Sequence, residues 1–143
     1  MADMATIREG LATQLATVTG LQTSAYRLVS PSPPVCHVYP AEPAAEYDIA
    51  IRTDRHFFVA EVLLQNPSDR GAQRKLDEYI GRGGVRSIKT NLEKRDVDQR
   101  ILGGACDDLV VTGVNGYGEY SITGGGSSLG ARFRIEVYVT TAS

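Results

Sequence analysis

The sequence predicts an α+β fold, in which a mainly antiparallel sheet carries an N-terminal helix and a central helix pair packed on one side. Two observations support this prediction. Apolar residues recur at helical spacing near the N-terminus and again in the middle of the chain, whereas the C-terminal third alternates apolar and polar residues as strands do. Helices that are separate in sequence from a run of consecutive strands are typical of α+β proteins. The 143 residues suit a single domain, 1–143.

The N-terminal helix is predicted over about 4–18. Its apolar residues are four, four and three positions apart, which places them on one face of a helix: Ile7, Leu11, Leu15 and Val18. Asp3 can cap its N-terminus, and Gly20 suits the left-handed position that follows a helix.

Two strands are predicted next, at 25–29 and at 35–39. Between them, residues 30–34 contain three prolines, which lack N–H donors and form a rigid, extended turn. Pro40 is expected to end the second strand.

The segment from Ala41 to Asp54 is acidic, contains proline and shows little periodicity. We predict that it is a long loop or a mobile hairpin around Tyr47, Asp48 and Ile49, and that it projects from the body of the protein. Because no core pattern pairs this segment, it is a candidate for contacts with another subunit.

The strongest strand signal lies at His56–Gln65, where Glu61 is the only interior charge. This strand is therefore predicted to be central. Phe57 and Phe58 are neighbours, so they present one ring to each face of the strand, and we expect both to be buried.

Two helices are predicted after the central strand. Turn residues 66–69 provide Ser68 or Asp69 as a cap for the first, which keeps helical spacing up to a stop at Gly81. The second is predicted at about 85–95, where three apolar residues fall three and four positions apart.

The C-terminal part predicts three strands, at 109–112, 117–122 and 131–140. The dipeptide Asn115-Gly116 and the run Gly124–Gly126 are predicted to be the turns that join them.

Composition excludes several classes of function. Fifteen Lys and Arg against seventeen Asp and Glu give a net charge of −2, which does not favour binding to nucleic acid or to an anionic membrane. The longest apolar runs are a few residues, far short of the roughly 18 of a transmembrane helix. The N-terminus carries three charges and no apolar region typical of a secretory signal.

The residues that could support catalysis do not form a recognisable motif. Cys36 and Cys106 are predicted to be reduced core thiols, and Cys36 cannot pair with His37, because neighbours on a strand point to opposite faces. Those two cysteines, His37 and His56 also lack the spacing of metal ligands. We therefore expect no enzyme, no cofactor and no metal.

Other polar features have ordinary structural explanations. The glycine-rich segments join strands rather than opening a helix, so they favour turns over phosphate binding. The pair Asp107-Asp108 is typical of a solvated turn. Arg132 and Arg134 share one strand face and either contact an acidic partner or lie in solvent, the latter being favoured.

The order of several short motifs resembles the tail terminator proteins of long-tailed phages, in particular those of actinobacterial hosts. The resemblance spans nearly the whole chain. It includes the opening helix at 7–12, the Pro33-Pro34-Val35 strand entry and the 57–64 strand. It continues through the helix start at 68–73 and the segments 76–79 and 85–88, and is most specific in the closing run 111–114, 116–118 and 129–131. The run 124–128 departs from the family pattern, because it is longer and looser than a tight hairpin needs.

The resemblance implies a virion structural protein that forms a ring, expected to be a homo-hexamer, at the head-proximal end of the tail. Such a ring stops polymerisation of the tail tube protein and offers a surface to a head-side connector, while genomic DNA passes through without specific binding. The protein is made in the host cytoplasm. As subunit contacts we single out two groups of residues: Tyr47, Asp48, Ile49 and Arg52, and Arg132 with Arg134.

Two alternatives stay open at the level of sequence. One is another component of the virion, either a head-completion connector or a tail tube subunit, because neck proteins share small folds and ring symmetry. The other is a small cytoplasmic enzyme or ligand-binding domain whose pocket is formed by His56, Arg132 and Tyr138.

Overall fold

The computed structural model describes residues 4–18, 22–26, 34–64, 70–84, 86–93, 102, 106–122 and 126–140. The elements are α1 (Met4–Leu15), β1 (Gln22–Ser24), β2 (Val35–Ala50), β3 (Thr53–Leu64), α2 (Arg70–Ile80), α3 (Ile88–Leu92), β4 (Asp108–Ile122) and β5 (Gly126–Thr140). The predicted α+β fold is confirmed.

The five strands form one sheet in the order β1-β2-β3-β5-β4. Only the short β1 is parallel to its neighbour, and the other pairs are antiparallel. Strand β3 is central, as predicted, and pairs with β5 from Thr53 opposite Thr140 to Leu64 opposite Leu129. Strand β3 is therefore paired with β5 along its whole length, and these two strands form the middle of the sheet.

The hydrophobic core lies between one face of the sheet and the helices. Alternate residues of the central strands face it, because side chains alternate between the faces of a strand. The sheet contributes Phe58, Ala60, Val62, Phe133, Ile135 and Val137, and the helices contribute Ile7, Leu11, Leu15, Leu76, Tyr79, Ile88 and Leu92. All three helices therefore pack on one side, as predicted.

Two helices are shorter than predicted. Helix α1 ends at Leu15, after which the N–H of Val18 bonds the carbonyl of Leu15 at 3.0 Å, and this tight turn still brings Val18 into the core. Helix α3 begins only at Ile88, because the Ser87 hydroxyl accepts from the Thr90 N–H at 3.1 Å and caps the helix there.

The first strand of the sheet lies at Gln22–Ser24, ahead of the predicted strand 25–29, of which only Ala25 and Tyr26 belong to the described residues. Thr23 ties this strand to α1 by donating from Oγ1 to the Ala12 carbonyl at 2.9 Å. The Tyr26 N–H then bonds the Ser24 hydroxyl at 3.2 Å, which turns the chain at the position where the prediction placed a strand.

The segment 41–54 is a hairpin rather than a loop, and its turn is displaced. Strand β2 does not end at Pro40 but continues to Ala50, and the turn lies at Ile51-Arg52. The prediction around Tyr47–Ile49 is wrong because Asp48, with a φ of 53°, belongs to a bulge within β2.

The prediction of two strands at 109–112 and 117–122 is also wrong, since both belong to β4. Asn115-Gly116 does not form a turn. One extra residue lies between Val111 and Gly113 and another between Asn115 and Gly118, relative to β5, and the φ of 66° at Gly116 fits such a bulge.

Several predicted features lie outside the described residues. These are the Asp3 cap and Gly20, most of the turn 30–34, the Ser68 or Asp69 cap, and Gly124 with Gly125.

Gly130 is required by the close approach of β3 to β5. A Cβ atom at this position would lie 2.6 Å from the backbone oxygen of Val62 and 2.9 Å from Cδ2 of Leu63. We expect Gly130→Ala to lower the free energy of unfolding by about 2 kcal/mol, because the backbone must shift to admit the methyl group. Urea unfolding monitored by circular dichroism measures this loss.

The matched control is Gly113→Ala, since a Cβ atom at Gly113 meets no atom within 4 Å. We expect it to change the free energy of unfolding by less than about 0.5 kcal/mol. Equal losses in the two variants would contradict the proposed role of Gly130.

Candidate assembly surface

The β2–β3 hairpin ends in exposed apolar side chains. We name residues 42–54 the hairpin tip. In this tip Tyr47 is 73% exposed, Ile51 is 91% exposed and Ile49 is 42% exposed. Isolated apolar residues are common on surfaces, but three at the end of one hairpin form a patch of the kind that contacts other proteins.

Polar contacts hold the hairpin tip in shape. Strand β2 has two more residues than β3 between the pairs Glu46–Arg55 and Ala50–Thr53. The Asp48 N–H donates to the Asp54 carboxylate at 3.0 Å, and the Arg55 Nε donates to the Glu46 carboxylate at 3.1 Å. These hydrogen bonds therefore hold in place the backbone segment that carries the exposed apolar side chains.

The structure separates the predicted contact residues into two groups. Tyr47, Asp48, Ile49 and Arg52 all lie in the hairpin tip, the first three on β2 and Arg52 in the turn. Arg132 and Arg134 lie on β5, on the sheet face opposite the helices, which we name the second face.

Both β5 arginines are held by protein groups rather than lying free in solvent. The Arg134 guanidinium lies 4.6 Å from the ring centroid of Phe57, and Arg55 lies 5.1 Å from the same ring. Arg132 lies 5.0 Å from the ring centroid of Tyr120. Phe57 is thus buried on the second face beneath two guanidinium groups, which are suited to stacking on aromatic rings.

Glu61 is the centre of a buried polar network on the second face. His37, Glu61 and Arg132 are in register on β2, β3 and β5. The carboxylate accepts hydrogen bonds from His37 Nε2 at 2.7 Å, from Arg132 Nε at 2.8 Å and from the Tyr39 hydroxyl at 3.1 Å. A charged-group network that is satisfied in this way ties three strands to one register.

The network keeps Glu61 ionised. Burial alone would raise the pKa of Glu61, but the hydrogen bonds from His37, Arg132 and Tyr39 outweigh it and lower the pKa from 4.5 to about 2. The negative charge is therefore present at all ordinary pH values, and it is compensated by its neighbours.

A cleft lies beside the edge strand β4, between that strand and the helices. It has a volume of about 150 Å³ and is lined by Ile80, Arg82, Lys89, Val111, Thr112, Gly113, Val114 and Phe133. We name this site the edge cleft. It is smaller than the roughly 300–1,000 Å³ of typical small-molecule sites.

The three residues predicted to form an alternative pocket do not come together. His56 is in register with the core residue Val137, so it lies on the helix side of the sheet. Arg132 and Tyr138 are on the second face, six positions apart on β5, which is about 20 Å along a strand. The predicted pocket of His56, Arg132 and Tyr138 is therefore wrong.

Both cysteines are free and buried, as predicted. Cys36 faces the core, whereas His37 bonds Glu61 on the second face. Burial raises the pKa of the Cys36 thiol and of the Cys106 thiol to about 12. The thiol form therefore predominates at neutral pH, which is unsuitable for a nucleophile.

In the part of the chain that the structure describes, no group of three or more His, Cys, Asp and Glu side chains could hold a metal ion. Within the same ranges, none of the helices has both the length and the apolar character needed to cross a membrane.

No protein-family model matches the chain, and no curated protein matches it.

Sequence reasoning missed Ile51 and the edge cleft. Among the described residues Ile51 has the most exposed large apolar side chain, yet an isoleucine beside alanine in sequence suggests burial as readily as exposure. Arg82, Lys89 and Val114 line the cleft together, but they are too far apart in sequence for a helix or strand spacing pattern to relate them. The Glu61 network did have a signal, since Glu61 was the only charge inside the central strand.

Glu61 provides a pH-dependent part of the stability. Its pKa in the folded protein is lowered from 4.5 to about 2, so its stabilising effect is complete above about pH 4.5 and is lost as the pH falls towards 2. We expect Glu61→Gln to lower the free energy of unfolding at pH 7 by about 3 kcal/mol. Urea unfolding at pH 7 and at pH 3 measures both effects.

The difference between Glu61→Gln and the parent protein should become smaller at pH 3, because the parent loses part of the same interaction. The control is Glu119→Gln on the exposed side of β4, which should change stability little at either pH. A loss that is the same at pH 3 and pH 7 would contradict this role for the Glu61 charge.

Proposed function

We propose that this protein is a tail terminator of a long-tailed phage, a virion structural protein that forms a ring on the head-proximal end of the tail tube. Six copies are expected in the ring. The ring stops the tail tube protein from polymerising further and joins the tail to a head-side connector.

The observation that carries this proposal is the hairpin tip. Its apolar side chains Tyr47, Ile49 and Ile51 are exposed at the end of a hairpin, and a surface of this kind is stabilised by contact with another protein. The family that the sequence resembles works by such contacts, both between its own copies and with the tube.

Charge and fold are consistent with this role. A net charge of −2 per chain gives a channel through which DNA can slide without strong attraction. An α+β subunit with one projecting hairpin can repeat a head-to-tail contact, and a contact of this type closes into a ring when its rotation allows.

The direct test combines light scattering with electron microscopy on tail tubes from the phage that carries this gene. We expect the protein to add a single ring to one end of each tube. In solution or on the tube, its assembled mass should be about six times the 15.4 kDa of one chain.

Other results would favour the alternative functions. A protein that ignores tubes but binds heads is a connector, and one that polymerises into long cylinders is a tube subunit. A monomer that binds neither heads nor tubes would contradict the whole proposal.

The hairpin tip can be tested by the triple variant Tyr47→Ser, Ile49→Ser and Ile51→Ser. Because these side chains are exposed, we expect the fold to be retained while binding to tube ends falls at least about tenfold. Electron microscopy counts capped tube ends, and circular dichroism verifies the fold. The matched control is Tyr26→Ser, which removes an exposed aromatic ring outside the tip. Normal capping by the triple variant would contradict the role of the tip.

A further inference from the structure

We propose that the hairpin tip of one copy of this chain docks into the edge cleft of a second copy, with Ile51 inserted beside Val114. The inference rests on the proposed ring and names the two surfaces that form it.

The edge of β4 is closed to strand addition near the cleft. Side chains of α3 occupy the backbone groups of Val111: the Val111 N–H donates to the Glu93 carboxylate at 2.8 Å, and the Val111 carbonyl accepts from Lys89 Nζ at 3.0 Å. Two bulges then interrupt the strand up to Gly118. A neighbour therefore cannot extend the sheet here by regular pairing, and it must make contact through side chains.

The edge of β2 is closed in a similar way. Strand β1 covers residues 35–37, and Arg8 Nη2 donates to the Val38 carbonyl at 3.1 Å. Pro40 and Pro43, which have no N–H donor, follow along the same strand. Regular strand addition is therefore hindered along residues 35–43 of β2.

The edge cleft fits one aliphatic side chain. Its volume is about 150 Å³, and it opens to solvent, so a side chain from another copy can enter it. Ile80, Val114 and Phe133 provide apolar walls, and Val114 is itself 37% exposed at the cleft. Ile51, at the apex of the hairpin turn, is the most exposed large apolar residue that could enter it.

The charges of the two surfaces are complementary. The hairpin tip, 42–54, holds four acidic residues and Arg52, a net charge of −3. The segment 70–93, which contains α2 and α3, holds six basic and three acidic residues, a net charge of +3. At the cleft itself Arg82 provides positive charge, whereas the charge of Lys89 is compensated by Glu93, whose carboxylate lies 2.5 Å from Lys89 Nζ. Opposite fields of this kind orient two copies and select the head-to-tail arrangement.

The contact cannot form within one chain. The hairpin turn precedes Thr53, which pairs with Thr140, whereas Val114 pairs with Phe133. These β5 positions are seven residues apart, which is about 23 Å along a strand. Two different surfaces of the same chain that contact each other only between copies form a heterologous interface, and such an interface closes into a ring when its rotation allows.

Disulfide trapping tests the contact on the full-length chain. The variants are Ile51→Cys and Val114→Cys, mixed in equal amounts under mild oxidation. We expect a covalent heterodimer, because the two engineered thiols meet only when a tip occupies a cleft. The double variant Ile51→Cys with Val114→Cys should give a ladder of products that ends at six chains. Cys36 and Cys106 are buried and protonated, so they do not compete.

The matched control is Thr13→Cys, an exposed position on α1 away from both surfaces. It should link to Ile51→Cys no faster than random collision allows. Addition of Arg82→Glu to the Val114→Cys protein should lower the yield of the heterodimer about tenfold, and added salt should lower it as well.

Three results would overturn the inference. Ile51→Cys that links mainly to itself would indicate a tip-to-tip contact. Equal yields with Val114→Cys and Thr13→Cys would indicate random collision. If the double variant forms rings on tube ends but its chains stay unlinked after oxidation, the subunits of the ring contact each other through other surfaces. This last result leaves the terminator function intact, whereas linked rings that never cap a tube would retain the interface and contradict the function.

Discussion

The structure depends on one buried carboxylate in its central strand. Glu61 accepts three hydrogen bonds from two neighbouring strands, and an ionised group can be buried at this position only when all three donors are in place. A shift of one residue in the pairing would turn Glu61 toward the apolar core and Phe58 away from it. The register of β2, β3 and β5 is therefore fixed by a strong energetic penalty, and it determines which side of the sheet receives the helices.

The same register determines which surfaces of the protein are available for contacts with other molecules. Helices cover one face of the sheet, and arginine side chains stack on Phe57 and Tyr120 on the other. Both sheet edges are occupied near their centres by side chains or proline. The described surface then leaves its two most exposed large apolar residues, Ile51 and Tyr47, at the hairpin tip. Closed edges and an apolar tip together favour a finite assembly over open-ended strand addition.

Sequence reasoning predicted the class, the order of most elements, the central strand and the helix side of the core. Its two errors on the lengths of β2 and β4 have a common physical origin. Asp48 and Asn115-Gly116 both signal a left-handed backbone, and such a backbone occurs in hairpin turns and in β-bulges alike. In both places the structure has a bulge, so β2 and β4 are longer than predicted. Local sequence cannot separate these cases, because the difference depends on the partner strand.

The residues of the candidate site also differ in how far the sequence could predict them. Tyr47, Asp48, Ile49 and Arg52 are close in sequence, so an unpaired acidic segment was sufficient to identify them, although it did not single out Ile51. Arg132 is different, because its partner Glu61 is 71 positions away and only the sheet brings them together. The edge cleft, which joins Arg82 to Val114, is likewise a product of tertiary structure.

The most direct measurement for this account is a cryo-electron microscopy structure of the assembled oligomer at side-chain resolution. We expect a closed ring of six copies in which each Ile51 lies in the edge cleft of the next copy, between Val114 and Arg82. A ring whose hairpin tips point into solvent, or an assembly in which the tips contact each other, would contradict the account.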